Sequence, residues 1–184
     1  EGGWQTVFPA GGFPSNYRDA DLGLHAEANL LPWDCAVLED TPEHVSIKFW
    51  VRTSRMPFFF EKTLSLTAGS SVLEVDQAIT NEAGEMMHCV WGEHIALGAP
   101  FLSKDCVLDL PGGTIVNHPV AFHPNNRLEA DAKTPWPMTR GVDGSDIDMR
   151  KIPDKDVRAY DMSYFSDMPE GWYAVTNRRL GVGL

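Results

Sequence analysis

The sequence predicts an all-β fold, and three observations predict it. Polar and apolar residues alternate with a period of two through the middle of the chain, such runs recur about every ten residues, and no stretch carries a helical stripe. Val45, Ile47, Phe49 and Val51 alternate with Ser46, Lys48, Trp50 and Arg52, the pattern of a half-buried strand. Phe58 to Thr67 repeats it, with Phe58, Phe60, Leu64 and Leu66 on one side and Glu61, Thr63, Ser65 and Thr67 on the other. Lys62 alone breaks the apolar side. Val72 to Thr80 supplies a third strand, with Leu73, Val75 and Ile79 inward and Glu74 and Asp76 outward. Asn81-Glu82-Ala83-Gly84-Glu85 then turns the chain into a run from Met86 to Ala96. Consecutive strands at this spacing predict an antiparallel meander of the kind found in sandwiches and barrels.

The flanks are less regular. The first 34 residues are rich in Gly, Pro and Asn and predict long loops carrying short strands. Pro119 to Pro169 is dense in Pro, Asp and Gly, and predicts a long excursion packed over the sheet or a cleft. Gly171 to Asn177 returns to strand character. No internal repeat is evident. The chain starts at Glu1-Gly2-Gly3-Trp4 and stops at Val182-Gly183-Leu184 without a polar tail at either end, which suggests a fragment of a longer protein.

Composition narrows the partners. A chain of 184 residues suffices for one domain with a sizeable core, so residues 1–184 are expected to form a single domain. A net charge of −11 disfavours nucleic acid and anionic membranes and leaves neutral ligands compatible. No apolar run reaches the length of a membrane span, and the N-terminus has no signal-peptide pattern. Cys35, Cys89 and Cys106 are odd in number and widely spaced, which predicts buried free thiols and a cytoplasmic location.

The segment Trp91-Gly92-Glu93-His94-Ile95-Ala96-Leu97-Gly98 sets a histidine among aromatic and glycine residues, a combination suited to a sugar-binding cleft. Strand parity puts His88, Val90, Gly92 and His94 on one face and Met87, Cys89, Trp91, Glu93 and Ile95 on the other, so Glu93 and His94 cannot share a cleft without a bulge. If Leu24-His25-Ala26-Glu27-Ala28 is extended, His25 and Glu27 share a face. A histidine titrates near neutrality and can give or take a proton there. His44 and His88 are better read as structural.

A competing idea is a metal site built from His118 and His123 with His88, His94 or Glu93. Its spacing fits no tight signature. Asp143-Gly144-Ser145-Asp146-Ile147-Asp148 lacks the glycine and the terminal glutamate of a calcium loop at the required spacing and is better read as a solvated acidic loop. Nucleophile-elbow, phosphate-loop and dinucleotide motifs are absent from the sequence. Arg18, Arg52 and Arg55 are the arginines from which a phosphate clamp could be drawn. Of the six tryptophans, one or two could offer a face for a pyranose ring.

Several of these segments carry a resemblance. Gly2-Gly3-Trp4-Gln5-Thr6-Val7-Phe8-Pro9 looks like the Gly-Gly segment and Phe-Pro strand end of the aldose 1-epimerase (galactose mutarotase-like) superfamily. Leu24-His25-Ala26-Glu27 is similar to its Leu-His-Gly motif, with Ala26 where glycine is usual. Asn81-Glu82-Ala83-Gly84 followed by Trp91 to Gly98 looks like its Asn-turn-strand segment ending in a cleft histidine. The match covers 1–34 and 71–102 and is loose elsewhere.

The resemblance implies part of an antiparallel β-supersandwich, lacking N- and C-terminal strands, that binds a hexose or hexose derivative. The implied reaction interconverts α and β anomers through the open-chain aldehyde, with a carboxylate base and a histidine acid and no cofactor or metal. By motif position His94 is the acid and His25 assists, with Glu27, Trp91 and Gln5 as substrate-binding residues. The family's base is a glutamate on a strand beyond a segment like Gly171–Leu184, and Glu27 and Glu93 are the nearest stand-ins here. Two further readings remain open: a non-catalytic carbohydrate-binding domain on the same scaffold, and a metal-dependent or cupin-like enzyme. Assembly with a second copy that supplies strands is compatible with all three.

Overall fold

The period-two alternation at the centre of the chain is realised as a four-stranded antiparallel meander in the computed structural model, which describes residues 3–184. The Gly2 half of the Gly2-Gly3 segment lies outside the described residues. The chain divides into two compact units, Glu1–Ala96 and Leu97–Leu184. Every strand pairing in both is antiparallel, and among the described residues the helical content is one 3-10 turn, Lys155–Val157. This is an all-β protein of antiparallel sheets. Among the described residues no helix is long and apolar enough to cross a membrane.

In the first unit, β1 (Gly3–Val7) is followed by the short hairpin β2 (Ser15–Tyr17) and β3 (Ala20–Leu22). The meander is β4 (Asp34–Asp40), β5 (His44–Arg52), β6 (Phe58–Thr67) and β7 (Leu73–Asn81), in sheet order β4-β5-β6-β7. Its last strand ends in a turn that Asn81 builds: its Oδ1 accepts from the Ala83 N–H at 3.0 Å and its Nδ2 donates to the Glu85 carbonyl at 2.8 Å. The run expected from Met86 is a strand only from Gly92. β8 (Gly92–Ala96) pairs with β1, and Met86 to Trp91 approach it as irregular chain in which the Val90 N–H donates to the Pro9 carbonyl at 2.7 Å and the His88 backbone N–H to the Tyr17 hydroxyl.

Cross-strand register puts Phe49 opposite Lys62 and Val51 opposite Phe60, so the apolar residues of β5 and β6 share one face as their alternation requires. The core gathers at the Phe58 end of that face, where Phe8, Leu22, Ala26, Ala28, Val51, Met56, Phe58 and Phe60 are buried together. Phe8 meets Phe58 and Phe60 edge-on, with ring centroids 5.0 and 5.3 Å apart, the geometry that aromatic quadrupoles favour. Leu73, expected inward, is 40% exposed because the core does not reach that end of the meander. Of the thiols expected to be buried only Cys106 is so; Cys35 and Cys89 are exposed, and all three are free.

The second unit begins with β9 (Cys106–Asp109) and β10 (Thr114–Asn117). The segment expected as an excursion is instead threaded with short strands: β11 (Lys133–Pro135), β12 (Met138–Arg140), β13 (Asp146–Asp148) and β14 (Ser163–Ser166). β15 (Ala174–Asn177) pairs with β9 and with β16 (Val182–Gly183). Strands this short hide little apolar surface, and the unit uses polar clamps. Buried Asn117 donates to the Glu129 carbonyl at 2.9 Å and accepts from Thr139 and Ser163 hydroxyls at 3.2 and 2.9 Å. Buried Asn177 donates to the Phe101 carbonyl and accepts from the Leu180 N–H.

Asp143 Oδ1 accepts from the Ser145 N–H and hydroxyl, closing the β12–β13 hairpin, so the acidic loop is a turn. Hydrogen bonds from Arg150 hold the Asp148 carboxyl below the usual carboxylate range, and partial burial opposes them.

Two outcomes follow from this packing. Phe60→Ala should lower stability by about 4 kcal/mol in urea unfolding, since it removes a fully buried ring from the aromatic cluster. A depressed carboxylate stabilises the fold above its unfolded value of about 3.9 and loses that contribution as pH falls through the folded value. Asp148→Asn should therefore be less stable than the parent at neutral pH, and the difference in urea midpoint should shrink steadily as the pH is lowered past the unfolded value.

Candidate functional site

His94 lies in the middle of β8, opposite Gln5 of β1. His25 reaches the same place by another route. The chain around it is not extended, because His25 and Ala26 have φ of 58° and 49°, in the left-handed region. The parity that would align His25 with Glu27 therefore does not apply. Three backbone hydrogen bonds support this bend: the N–H groups of His25, Ala26 and Ala28 donate to the carbonyls of Gly12, Gly23 and Phe8. The result brings the two imidazoles together, with ring centroids 5.1 Å apart and planes 36° apart. His25 is half-buried and His94 exposed, so the pair has access to solvent.

Glu93 points away from that pair, as strand alternation requires. Its carboxylate accepts from the Trp4 indole N–H, the Thr6 hydroxyl, the Gln77 amide and the Lys62 ammonium, the last at 3.0 and 3.1 Å. Lys62 also donates to the Thr6 hydroxyl. Gln77 in turn accepts from the Trp91 indole N–H at 3.0 Å, and Trp91 stands edge-on to Phe60 with centroids 6.2 Å apart. The side chains of Lys62 and Glu93 are only 13% and 20% exposed, so this is a largely desolvated ion pair wrapped in hydrogen bonds. It joins β1 and β8 to β6 and β7. Lys62, the residue that broke the apolar alternation, is the cation at its centre.

Glu27 is buried too, and its carboxylate is fully engaged. One oxygen accepts from the Ser54 N–H at 2.6 Å, the Ser54 hydroxyl at 2.7 Å and the Arg55 N–H at 2.8 Å; the other accepts from the Met56 N–H at 3.2 Å. These are N–H groups of the β5–β6 turn, where Ser54 and Arg55 are exposed and Met56 is buried. The geometry gives Glu27 a structural task and takes it out of the set expected to touch a substrate. Gln5 keeps a buried side-chain oxygen without a hydrogen-bond partner. Trp91 is 51% exposed while anchored through its N–H.

The other histidines have local work. His44 pairs with Glu39 at 3.0 Å. His88 packs edge-on to Tyr17 and its N–H donates to the Tyr17 hydroxyl. His118 and His123 accept from the N–H groups of Val120 and Asn125 and pack on Phe122 and Tyr160. Among the described residues no three His, Cys, Asp or Glu side chains converge as a metal site would require, so the histidine-metal arrangement weighed from the sequence does not form here. Nor do the arginines make a phosphate clamp. Arg18 pairs with Glu85, Arg52 with Glu82, and Arg55 donates to the Asp21 carbonyl.

No protein-family model matches the chain, and neither a curated protein nor a solved structure does.

Replacing Glu27 with glutamine should cost about 3 kcal/mol of stability, because an amide would set donors against backbone N–H groups. Chemical unfolding checks this, and the His25 imidazole resonance should stay in place in the folded fraction. Lys62→Met should cost about 2 kcal/mol by leaving Glu93 partly buried and unpaired. Restoring Glu93→Gln in the same chain should recover part of that loss.

Proposed function

We propose that the chain is an aldose 1-epimerase-like carbohydrate-binding protein that interconverts the α and β anomers of a hexose or hexose derivative, on part of an antiparallel β-supersandwich. The observation that carries the reading is the His25–His94 pair, two imidazoles 5.1 Å apart and open to solvent. Two histidines set a few ångströms apart can address neighbouring oxygens of one pyranose: His94 gives a proton to the ring oxygen as the C1–O5 bond breaks, while His25, in its neutral form on the anomeric side, takes the proton of the anomeric hydroxyl. Neutral sugars suit a chain of net charge −11, and the reaction needs no cofactor. Ala26 adds support, since its left-handed φ explains why the resembling motif carries glycine at that position.

A second reading, a sugar-binding domain without catalysis, is favoured by the commitments of the carboxylates. Glu27 is spent on a turn and Glu93 on Lys62, so neither stand-in is free to take the anomeric proton.

Exchange NMR on a panel of free aldoses and hexose 6-phosphates separates the two. The protein should accelerate transfer between anomer signals, and His94→Ala should abolish the acceleration while retaining some line broadening from bound sugar. Full activity in His94→Ala would remove the acid from its role, and broadening without exchange in the parent chain would select the binding domain.

A further inference from the structure

The side-chain oxygen of Gln5 is sealed from solvent and accepts no hydrogen bond. Native proteins leave few such oxygens, because each has lost its hydration without a replacement. An oxygen without access to solvent has no surface to offer a sugar, so the substrate contact that the resemblance assigns to Gln5 is not made by it. The donor that satisfies it has to come from the protein around it.

Strand register picks out that donor. Gln5 of β1 stands directly opposite His94 of β8, and residues paired in this way project on one face with Cβ atoms about 5 Å apart. Their neighbours on this face are Gly3 and Val7 along β1 and Gly92 and Ala96 along β8, none of which has a side-chain donor. Trp4 and Thr6 do, but they lie on the opposite face and are committed to Glu93. His94 therefore carries the one side-chain N–H that this face of the ribbon offers to Gln5. Neither of its ring nitrogens has a hydrogen bond or an ion pair among the described residues. Its small neighbours leave the ring room to turn, with open space above Gly3 and Gly92.

The histidine pair needs such a partner. Two imidazoles 5.1 Å apart are chemically alike, and their stacking does not decide which gives a proton and which takes one. No carboxylate decides it either, since Glu93 is bound on the other face of the ribbon and Glu27 in the β5–β6 turn. An acceptor on one ring does. With Oε1 of Gln5 holding the N–H of one His94 nitrogen, the other nitrogen is left to face solvent. In the anomer exchange it is that second N–H bond which breaks as the ring oxygen is protonated. The first N–H stays on Gln5 throughout, so His94 ends the step as one defined neutral tautomer.

We propose that Gln5 is the positioning residue of the histidine pair: its buried Oε1 accepts from one ring N–H of His94, fixes the tautomer and orientation of that imidazole, and so makes it the acid rather than His25. The contact stands on strand register and polar accounting; the acid role rests on the anomer-exchange reading.

The test is 15N-resolved NMR of the imidazole nitrogens in the whole chain without sugar, above about pH 8, where unperturbed imidazoles are neutral. His94 should show a single tautomer in the parent and the averaged signals of both tautomers in Gln5→Leu. Gln5→Glu, which keeps an acceptor oxygen on a side chain of the same length, should restore the single tautomer. Removing an unpaired buried oxygen costs little, so Gln5→Leu should fold, and Gln5→Met gives the same comparison if the leucine does not fit. Where the parent exchanges anomers, Gln5→Leu should do so about tenfold more slowly with the line broadening from bound sugar unchanged. The proposal is overturned if His94 mixes tautomers in the parent, if Gln5→Leu leaves its tautomer fixed or exchanges anomers at the parent rate, or if His25 responds in its place. A fixed tautomer that Gln5→Leu releases upholds the contact even in a chain that exchanges no anomers, so failure of the catalytic reading is told apart from failure of this one.

Discussion

The carboxylate of Glu93 is the point on which the first unit turns. Four side chains from three strands donate to it: Trp4 and Thr6 from β1, Lys62 from β6 and Gln77 from β7. By backbone pairing alone, without that carboxylate, the β1–β8 ribbon is a separate two-stranded sheet, a unit only marginally stable in water. With it, the ribbon is tied to the meander by charge-assisted hydrogen bonds in a largely desolvated setting. Because neighbouring residues on a strand project oppositely, the residue that ties the ribbon down also holds His94 out on the other side.

The second half of the histidine pair is placed by a comparable device. Glu27 collects the N–H groups of the β5–β6 turn, and the bend just before it carries His25 and Ala26 in left-handed backbone. Left-handed geometry costs an ordinary residue about 1 kcal/mol, and here burial of Ala26 and three backbone hydrogen bonds offset it. Two carboxylates thus do the positioning, and the histidine pair they hold keeps access to solvent, with His25 half-buried and His94 exposed. This division of labour is why the acidic residues nearest the pair in sequence are poor choices for a catalytic base.

Much of the fold was legible in the sequence because alternation is a local property. Phe58 to Thr67 is a strand over that whole range, and Asn81 turns the chain where its neighbours suggested. The second unit was legible only in the strand character of Gly171 to Asn177, which holds β15; its other strands are too short to show a period, and the clamping roles of Asn117 and Asn177 have no local signature. At the site, the resemblance set His25 beside His94 in one task and the two rings do lie together, whereas the extended backbone that would align His25 with Glu27 does not form. Lys62 carried a readable signal as the one charge on an apolar face. Thr6 and Gln77 carried none, because their roles arise from contacts with Glu93, far from them in sequence.

The most direct measurement follows the imidazole Hε1 resonances of all six histidines as a free aldose is added. If His25 and His94 form one sugar-facing site, their signals move together with a common dissociation constant while those of His44, His118 and His123 stay still. Independent movement of the two, or no movement of either at saturating sugar, would contradict the account.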